Sequence, residues 1–327
     1  MPPTATFLDF ATVSFRDDLD TSRLERVLPG ISLHATSTED EIGPRMANAQ
    51  VVLTNKLRMT RARIESAPQL RLIALTATGT NNVDLDAARE RDVAVCNIRD
   101  YCTPSVVQHV LGVMLLLTHK LREYHAAAVD GTWARSPQFT VLHHPVRELA
   151  GRTLGIVGYG ALGGGVARAA EAALGMRVVL AARPGAGNAA TPADGRPRVA
   201  LDELLANSDV VSLHCPLTPA TQGLIGMRQL QQMKRDALLI NTARGALVDV
   251  AALAAALRER RIGGAAIDVL PEEPPVNGSP LFAADIPNLI VTPHVAWAAL
   301  ESRQRALDEL ATNIEDVLRG GTRGRVV

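Results

Sequence analysis

The sequence predicts an α/β protein built on two doubly wound parallel sheets. Two observations carry this. Short apolar runs alternate with charge-bearing, helix-like segments in two successive rounds, and the second round opens on a glycine-rich turn between a strand and a helix. Strands that alternate with helices pair in parallel, because a parallel connection needs a crossover long enough to hold a helix.

In the first round ATFLDF, ISLHA, VVLTN, LRLIALTA and AVCNI read as strands. SRLERVL, EDEIGPRMANA, TRARIESA and DLDAARERD lie between them with helical spacing of apolar and charged residues. These strands suffice for a complete small domain. At Tyr101-Cys102-Thr103-Pro104 the rhythm changes. Thr103 can cap a helix, Pro104 suits its first turn, and one long helix from about Ser105 to His125 is expected to cross between domains. Asp130 to Arg147 carries aromatics and prolines without periodicity and reads as an irregular arm that packs on another subunit. His143 and His144, adjacent in this arm, face different ways on any regular element, so no metal site is expected there.

From Gly151 the second round supplies TLGIV, RVVLAA, VVSL, ALLINTA, GAAIDVL and LIVTP as strands, the size of a full Rossmann sheet. LDELLAN, MRQLQQMK and DVAALAAALRERRI read as helices in the gaps. After His294 a last helix is expected from about Ala298 to Leu318, and the tail GGTRGRVV reads as frayed.

Composition narrows the class. A chain of 327 residues with 47% hydrophobic residues suits two domains with sizeable interiors. Lys plus Arg equals Asp plus Glu at 34 each, which argues against nucleic acid or an anionic membrane as the main partner. Cys96, Cys102 and Cys215 are odd in number and lack any C-x-x-C pairing, so reduced thiols in a cytoplasmic protein are expected, with no disulfide framework and no zinc site. MPPTATFLDFATVSF lacks the pattern of a secretory signal, and VLGVMLLL is too short to span a bilayer.

The glycine-rich turn is TLGIVGYGALG. Gly158, Gly160 and Gly163 are spaced as G-x-G-x-x-G after a strand and before the helix ALGGGVARAAEAAL. In this context the first glycine makes the turn, the second admits a pyrophosphate close to the backbone, and the third lets helix and strand pack closely. The helix N-terminus offers free N–H groups to the anion. A dinucleotide is therefore the expected cofactor. An NAD fingerprint places an acid about 20 positions on to bind the ribose 2′-hydroxyl. Here that strand ends at Ala182, followed by Arg183-Pro184-Gly185, with no acid before Asp194. A guanidinium can pair with a 2′-phosphate in two hydrogen bonds. NADP(H) is thus expected ahead of NAD(H).

Three residue types follow three later strands. Arg244 follows ALLINTA, Glu273 follows GAAIDVL, and His294 follows LIVTP. Taken singly, each has a plainer reading, as a solvated turn arginine, a loop charge before Pro274 and a satisfied strand-end histidine. Their order past successive strands points to one site, because sites form at the carboxyl ends of parallel strands. The set suits reduction of a 2-keto acid. Histidine can give a proton near neutral pH, a glutamate on its other nitrogen fixes the tautomer, and an arginine fork grips a carboxylate.

INTARGALVD, AAIDVLPEEPP and NLIVTPHVAW resemble the signatures of the D-isomer-specific 2-hydroxyacid dehydrogenases, as does TATGTNNVDLDAA from Thr76 to Ala88. The resemblance implies substrate orientation by Arg244, tuning of the histidine by Glu273 and acid–base work by His294. It implies backbone contacts from Thr78, Gly79 and Thr80 to the substrate carboxylate. Asp268 would contact the nicotinamide amide, and Ala161, Leu162, Thr242 and Ala243 would line the cofactor. It also implies a homodimer and split domains, with the dinucleotide-binding domain, 103–296, inserted in a substrate domain made of 1–102 and 297–327. FLDFATVS, IRDYCTPSVVQHV and PPVNGSPL resemble the glycerate dehydrogenase, or hydroxypyruvate reductase, branch. That branch implies a small polar substrate, and Tyr101 and Cys102, at the domain crossover, either border it or pack the hinge. The alternatives are a dehydrogenase for another 2-keto acid and a dinucleotide-sensing, corepressor-like binding protein.

Overall fold

A computed structural model describes residues 2–183, 196 and 198–327. It divides into two compact units, Met1–Cys102 with Trp297–Val327, and Thr103–Ala296. Among the described residues no helix is long and apolar enough to cross a membrane.

The first unit is a five-stranded parallel sheet. Its strands are β1 (Ala5–Phe7), β2 (Ser32–Leu33), β3 (Val51–Thr54), β4 (Leu72–Leu75) and β5 (Ala94–Cys96), in the order β2-β1-β3-β4-β5. The connections run through α1 (Ser22–Val27), α2 (Glu39–Met46), α3 (Arg61–Glu65) and α4 (Leu85–Glu90). Successive side chains of a strand point to opposite faces, and two separate cores result. Val51, Leu53, Leu72 and Ala74 meet Leu307, Leu310 and Ile314 of the C-terminal helix, Leu300–Leu318. Val52, Ile73 and Leu75 meet Ile42, Met46, Ile64 and Ala87 on the other face. Burial on both faces explains why these strands are unbroken apolar runs.

The tail departs from expectation. It is not frayed. Val326 N donates to Val95 O at 2.7 Å and Asn97 N to Gly324 O at 2.9 Å, so the tail runs antiparallel along the outer edge of β5. An open strand edge carries unpaired N–H and C=O groups, and the tail satisfies them. Val326 and Val327 also pack against the second core of this unit.

The second unit carries a seven-stranded parallel sheet. Its strands are β6 (Thr153–Val157), β7 (Arg177–Ala181), β8 (Arg198–Val199), β9 (Val210–Leu213), β10 (Leu238–Asn241), β11 (Gly264–Ile267) and β12 (Leu289–Val291). Their order is β12-β11-β10-β9-β6-β7-β8. The short β8 adds one strand to those read from the sequence. Helices α5 (Thr103–Thr118), α6 (Leu121–Val129), α7 (Ala161–Leu174), α8 (Leu201–Asn207), α9 (Met227–Gln232) and α10 (Val250–Arg258) connect and cover it. The single long helix expected from Ser105 to His125 is two helices. Lys120 takes a left-handed conformation, φ 54°, and breaks the run between α5 and α6. No glycine or proline marks that break in the sequence. Residues 130–152 contain no helix or strand.

Candidate active site

All strands of the second sheet are parallel, so their carboxyl ends share one rim. From one side to the other the rim carries His294 after β12, Asp268 and Glu273 after β11, and Thr242, Ala243 and Arg244 after β10. It continues through His214 and Cys215 after β9, the fingerprint after β6, and Ala182 and Arg183 after β7. The strand order reverses between β9 and β6, the switch point where open α/β sheets bind ligands.

The three fingerprint glycines differ in what constrains them. Gly158 has φ +97°, and a Cβ there would stand 2.4 Å from Cys215 N, so a side chain is barred by conformation and by backbone. A Cβ on Gly163 would stand 2.1 Å from Gly158 O, which is why α7 can pack down on the turn only with glycine there. A Cβ on Gly160 would meet nothing within 4 Å among the described residues. Its surface is open, as close approach of a pyrophosphate requires. Ala161, Leu162 and Gly163 begin α7, where the first N–H groups have no partner within the helix. Thr242 Oγ1 and His214 Nδ1 on the same rim are buried without a hydrogen-bond partner among the described residues. Open glycine, free helix terminus and orphaned polar atoms fit a dinucleotide.

The sequence reading gives His214 no role and takes Cys215 only as a reduced thiol. Their signal was there, since they directly follow the buried VVSL strand beside the fingerprint. Ser212 Oγ lies 2.8 Å from His214 Nε2. Burial pushes the pKa of His214 down to about 4, so the ring is neutral near pH 7. Cys215 is a half-buried free thiol.

At the other end, the loop after β11 folds back on the loop after β10. A Cβ on Gly245 would stand 2.0 Å from the carbonyl carbon of Leu270, so glycine beside Arg244 lets the two loops touch. Gly245 also escaped the sequence reading. Asn241 braces this corner, donating from Nδ2 to Arg244 O at 2.9 Å and accepting from Ala243 N at 3.0 Å. The Arg244 guanidinium donates to Ala243 O at 2.7 Å, and the residue is exposed.

Glu273 and His294 are brought together. Glu273 Oε1 accepts from Leu270 N at 2.8 Å, which fixes the carboxylate. Oε2 lies 2.8 Å from His294 Nδ1. A carboxylate only accepts, so Nδ1 carries the proton of this contact. The side chains keep 27% and 35% exposure, for histidine and glutamate respectively. His294 sits at φ 56°, in the left-handed region, which costs a non-glycine residue on the order of 1 kcal/mol. Asp268, only 2% exposed, faces the backbone of this turn with both carboxylate oxygens.

Ala182 N donates to Val199 O at 2.8 Å, tying the end of β7 to β8. Arg183 follows and is exposed. Arg196 is engaged with Glu171 through two bonds, at 2.7 and 2.9 Å. Pro184, Gly185 and Asp194 lie outside the described residues.

Thr78, Gly79 and Thr80 belong to the first unit and follow β4. Asn97 Nδ2 donates to Thr78 O at 2.7 Å, and Val83 N donates to Thr80 O at 3.0 Å. Tyr101 packs edge-on against Trp297 in that unit, with ring centroids 6.2 Å apart. Among the described residues no group of His, Cys, Asp or Glu is arranged to hold a metal ion. Burial pushes the Cys96 thiol up to about 12, and it pushes Cys102 and Cys215 upward as well.

The family model described as D-isomer specific 2-hydroxyacid dehydrogenase, NAD binding domain, matches residues 111–296. A glycerate dehydrogenase of Methylorubrum extorquens is 46% identical over 286 residues, covering 88% of each chain. A hydroxypyruvate reductase of Blautia hydrogenotrophica is 36% identical over 305 residues, covering 93% of each. Among solved structures, an acyclic imino acid reductase in complex with NADPH and D-Arg superposes with a TM-score of 0.83 at 25% identity, over 99% of this chain and 100% of that one.

Proposed function

The chain belongs to the D-isomer specific 2-hydroxyacid dehydrogenase family, and from that membership we propose that it reduces hydroxypyruvate to D-glycerate, and glyoxylate to glycolate, with NADPH ahead of NADH. The observation that carries the reading is the Glu273–His294 pair on the rim that bears Arg244. Arg244 orients the 2-keto acid through its carboxylate, since a guanidinium fork matches that group in two hydrogen bonds. When bound, the reduced nicotinamide supplies a hydride to the carbonyl carbon. His294 gives the proton to the carbonyl oxygen from Nε2, and Glu273 stabilises the ring while it is charged. Gly158, Gly160 and the start of α7 hold the pyrophosphate, and Arg183 faces the 2′-phosphate.

The substrate names of the two relatives support the choice of hydroxypyruvate. The missing acid after β7 and the exposed Arg183 support NADPH. The test is kcat/KM across hydroxypyruvate, glyoxylate, pyruvate and phenylpyruvate with both cofactors. Hydroxypyruvate with NADPH should rank first. Highest efficiency with phenylpyruvate would overturn the substrate assignment.

The arm and α6 support a homodimer. Val129, Trp133, Phe139 and Leu142 are exposed there, Phe139 at 91% and Leu142 at 81%. Such a run of exposed apolar residues marks an interaction surface, and a second copy of the chain is the partner we propose for it.

A further inference from the structure

His294 owes its place to one buried carboxylate. Asp268 Oδ1 accepts from Thr292 Oγ1 at 2.5 Å and from Val295 N at 2.9 Å, and Oδ2 accepts from Ala296 N at 2.9 Å. The carbonyl of the same residue accepts from His294 N at 2.8 Å. The bonds bracket His294 on both sides. The far end of the turn is anchored again where Ser105 Oγ donates to Ala296 O at 2.7 Å. Asp268 in turn is held in the sheet through its own N–H, which donates to Asn241 O at 2.9 Å.

We propose that Asp268 is the positioning residue for His294, holding the turn after β12 so that Nδ1 meets Glu273 and Nε2 faces the substrate. This deepens the functional reading above and rests on His294 being the proton donor. The physical need is plain. His294 sits at φ 56°, a region an L-residue leaves when nothing holds it. Released, the turn relaxes and the ring swings off the carboxylate. A carboxylate is required because all three side-chain contacts are donors aimed at it. An asparagine keeps one acceptor oxygen and turns an amide NH2 towards an N–H. One acceptor site of the carboxylate remains for another donor, so a contact with the cofactor amide is compatible with this role.

The test is a double-mutant cycle of Asp268→Asn with His294→Ala. Asp268→Asn should lower kcat about 100-fold while KM for substrate and for NADPH moves less than about threefold. In the His294→Ala background the same change should lower the residual rate less than about twofold, because its effect passes through the missing ring. An equal loss in both backgrounds, or a loss confined to KM for NADPH, overturns the proposal. Thr292→Val, which removes a single donor, should give a smaller fall in kcat, about tenfold, again with KM held. A readout independent of turnover is the downfield proton resonance of His294 Nδ1–H, assigned by its loss in His294→Ala. It should vanish in Asp268→Asn while the folded spectrum persists, and its survival there overturns the proposal. If the parent reduces no 2-keto acid, the functional reading fails, and the resonance still decides the positioning role.

Discussion

Glu273 and His294 form a pair whose two partners are fixed by different loops. The carboxylate is anchored on Leu270 N after β11, and the imidazole stands on the turn after β12. In the role proposed for His294, reduction consumes the proton on the ring and oxidation needs the ring able to accept it. Reductive kcat/KM should therefore fall as pH rises and oxidative kcat/KM should climb. Glu273→Gln replaces an acceptor-only carboxylate with an amide beside His294 Nδ1, so kcat should fall about tenfold or more. Paired pH–rate profiles in the two directions check the first expectation, steady-state kinetics of the variant check the second, and an unchanged kcat would remove Glu273 from the role.

Arg183→Ala should lower kcat/KM for NADPH about tenfold or more and leave NADH nearly unchanged, because the contact proposed for it is to the 2′-phosphate alone. Steady-state kinetics with the two cofactors decide it. A parent that strongly prefers NADH, or a variant with its NADPH preference intact, refutes the assignment.

His214 links cofactor-side packing to acid stability. Its pKa is lowered from 6.5 to about 4 by burial, so the folded state favours the neutral ring. The stabilisation is complete above the unfolded value and is lost as pH falls from 6.5 towards 4, by up to about 3 kcal/mol. His214→Gln, which cannot titrate, should show a shallower loss of unfolding free energy between pH 7 and pH 4.5. Urea unfolding at several pH values measures this, and parallel curves for the two proteins would rule it out.

Phe139→Asp together with Leu142→Asp should convert a dimer to a monomer, since charges on an apolar contact surface oppose its burial. Light scattering on parent and variant reports the mass. A monomeric parent at micromolar concentration and full activity would contradict the proposed assembly.

Much of this was legible in the residues, for physical reasons that differ by element. The parallel strands announced themselves because burial on both faces demands unbroken apolar runs, as in VVLT and LIAL. The placing of Arg244, Glu273 and His294 along one rim was legible because each comes a few residues after such a run. Lys120 was not, since a left-handed lysine leaves no compositional mark. The docking of the tail was hidden because TRGRVV carries glycine and arginine and reads as solvated, while its pairing depends on the open edge of a distant strand. Gly245 and the clamp around Asp268 depend on loops far apart in sequence, and only the folded chain brings them into contact.

The return of the C-terminal helix to the first sheet sets an order of assembly. Residues 103–296 are one continuous stretch that leaves the ribosome with every strand of its own sheet present. The first unit leaves earlier yet must wait, because Leu307, Leu310 and Ile314 cover one face of its sheet and Val326 seals the edge of β5. During that wait the cluster of Val51, Leu53 and Leu72 has Phe7, Leu24 and Leu28 beside it but lacks the apolar face of the last helix. The half that emerges first is thus the last to close, and the interval before synthesis reaches the final helix is when a nascent chain of this protein most needs a chaperone.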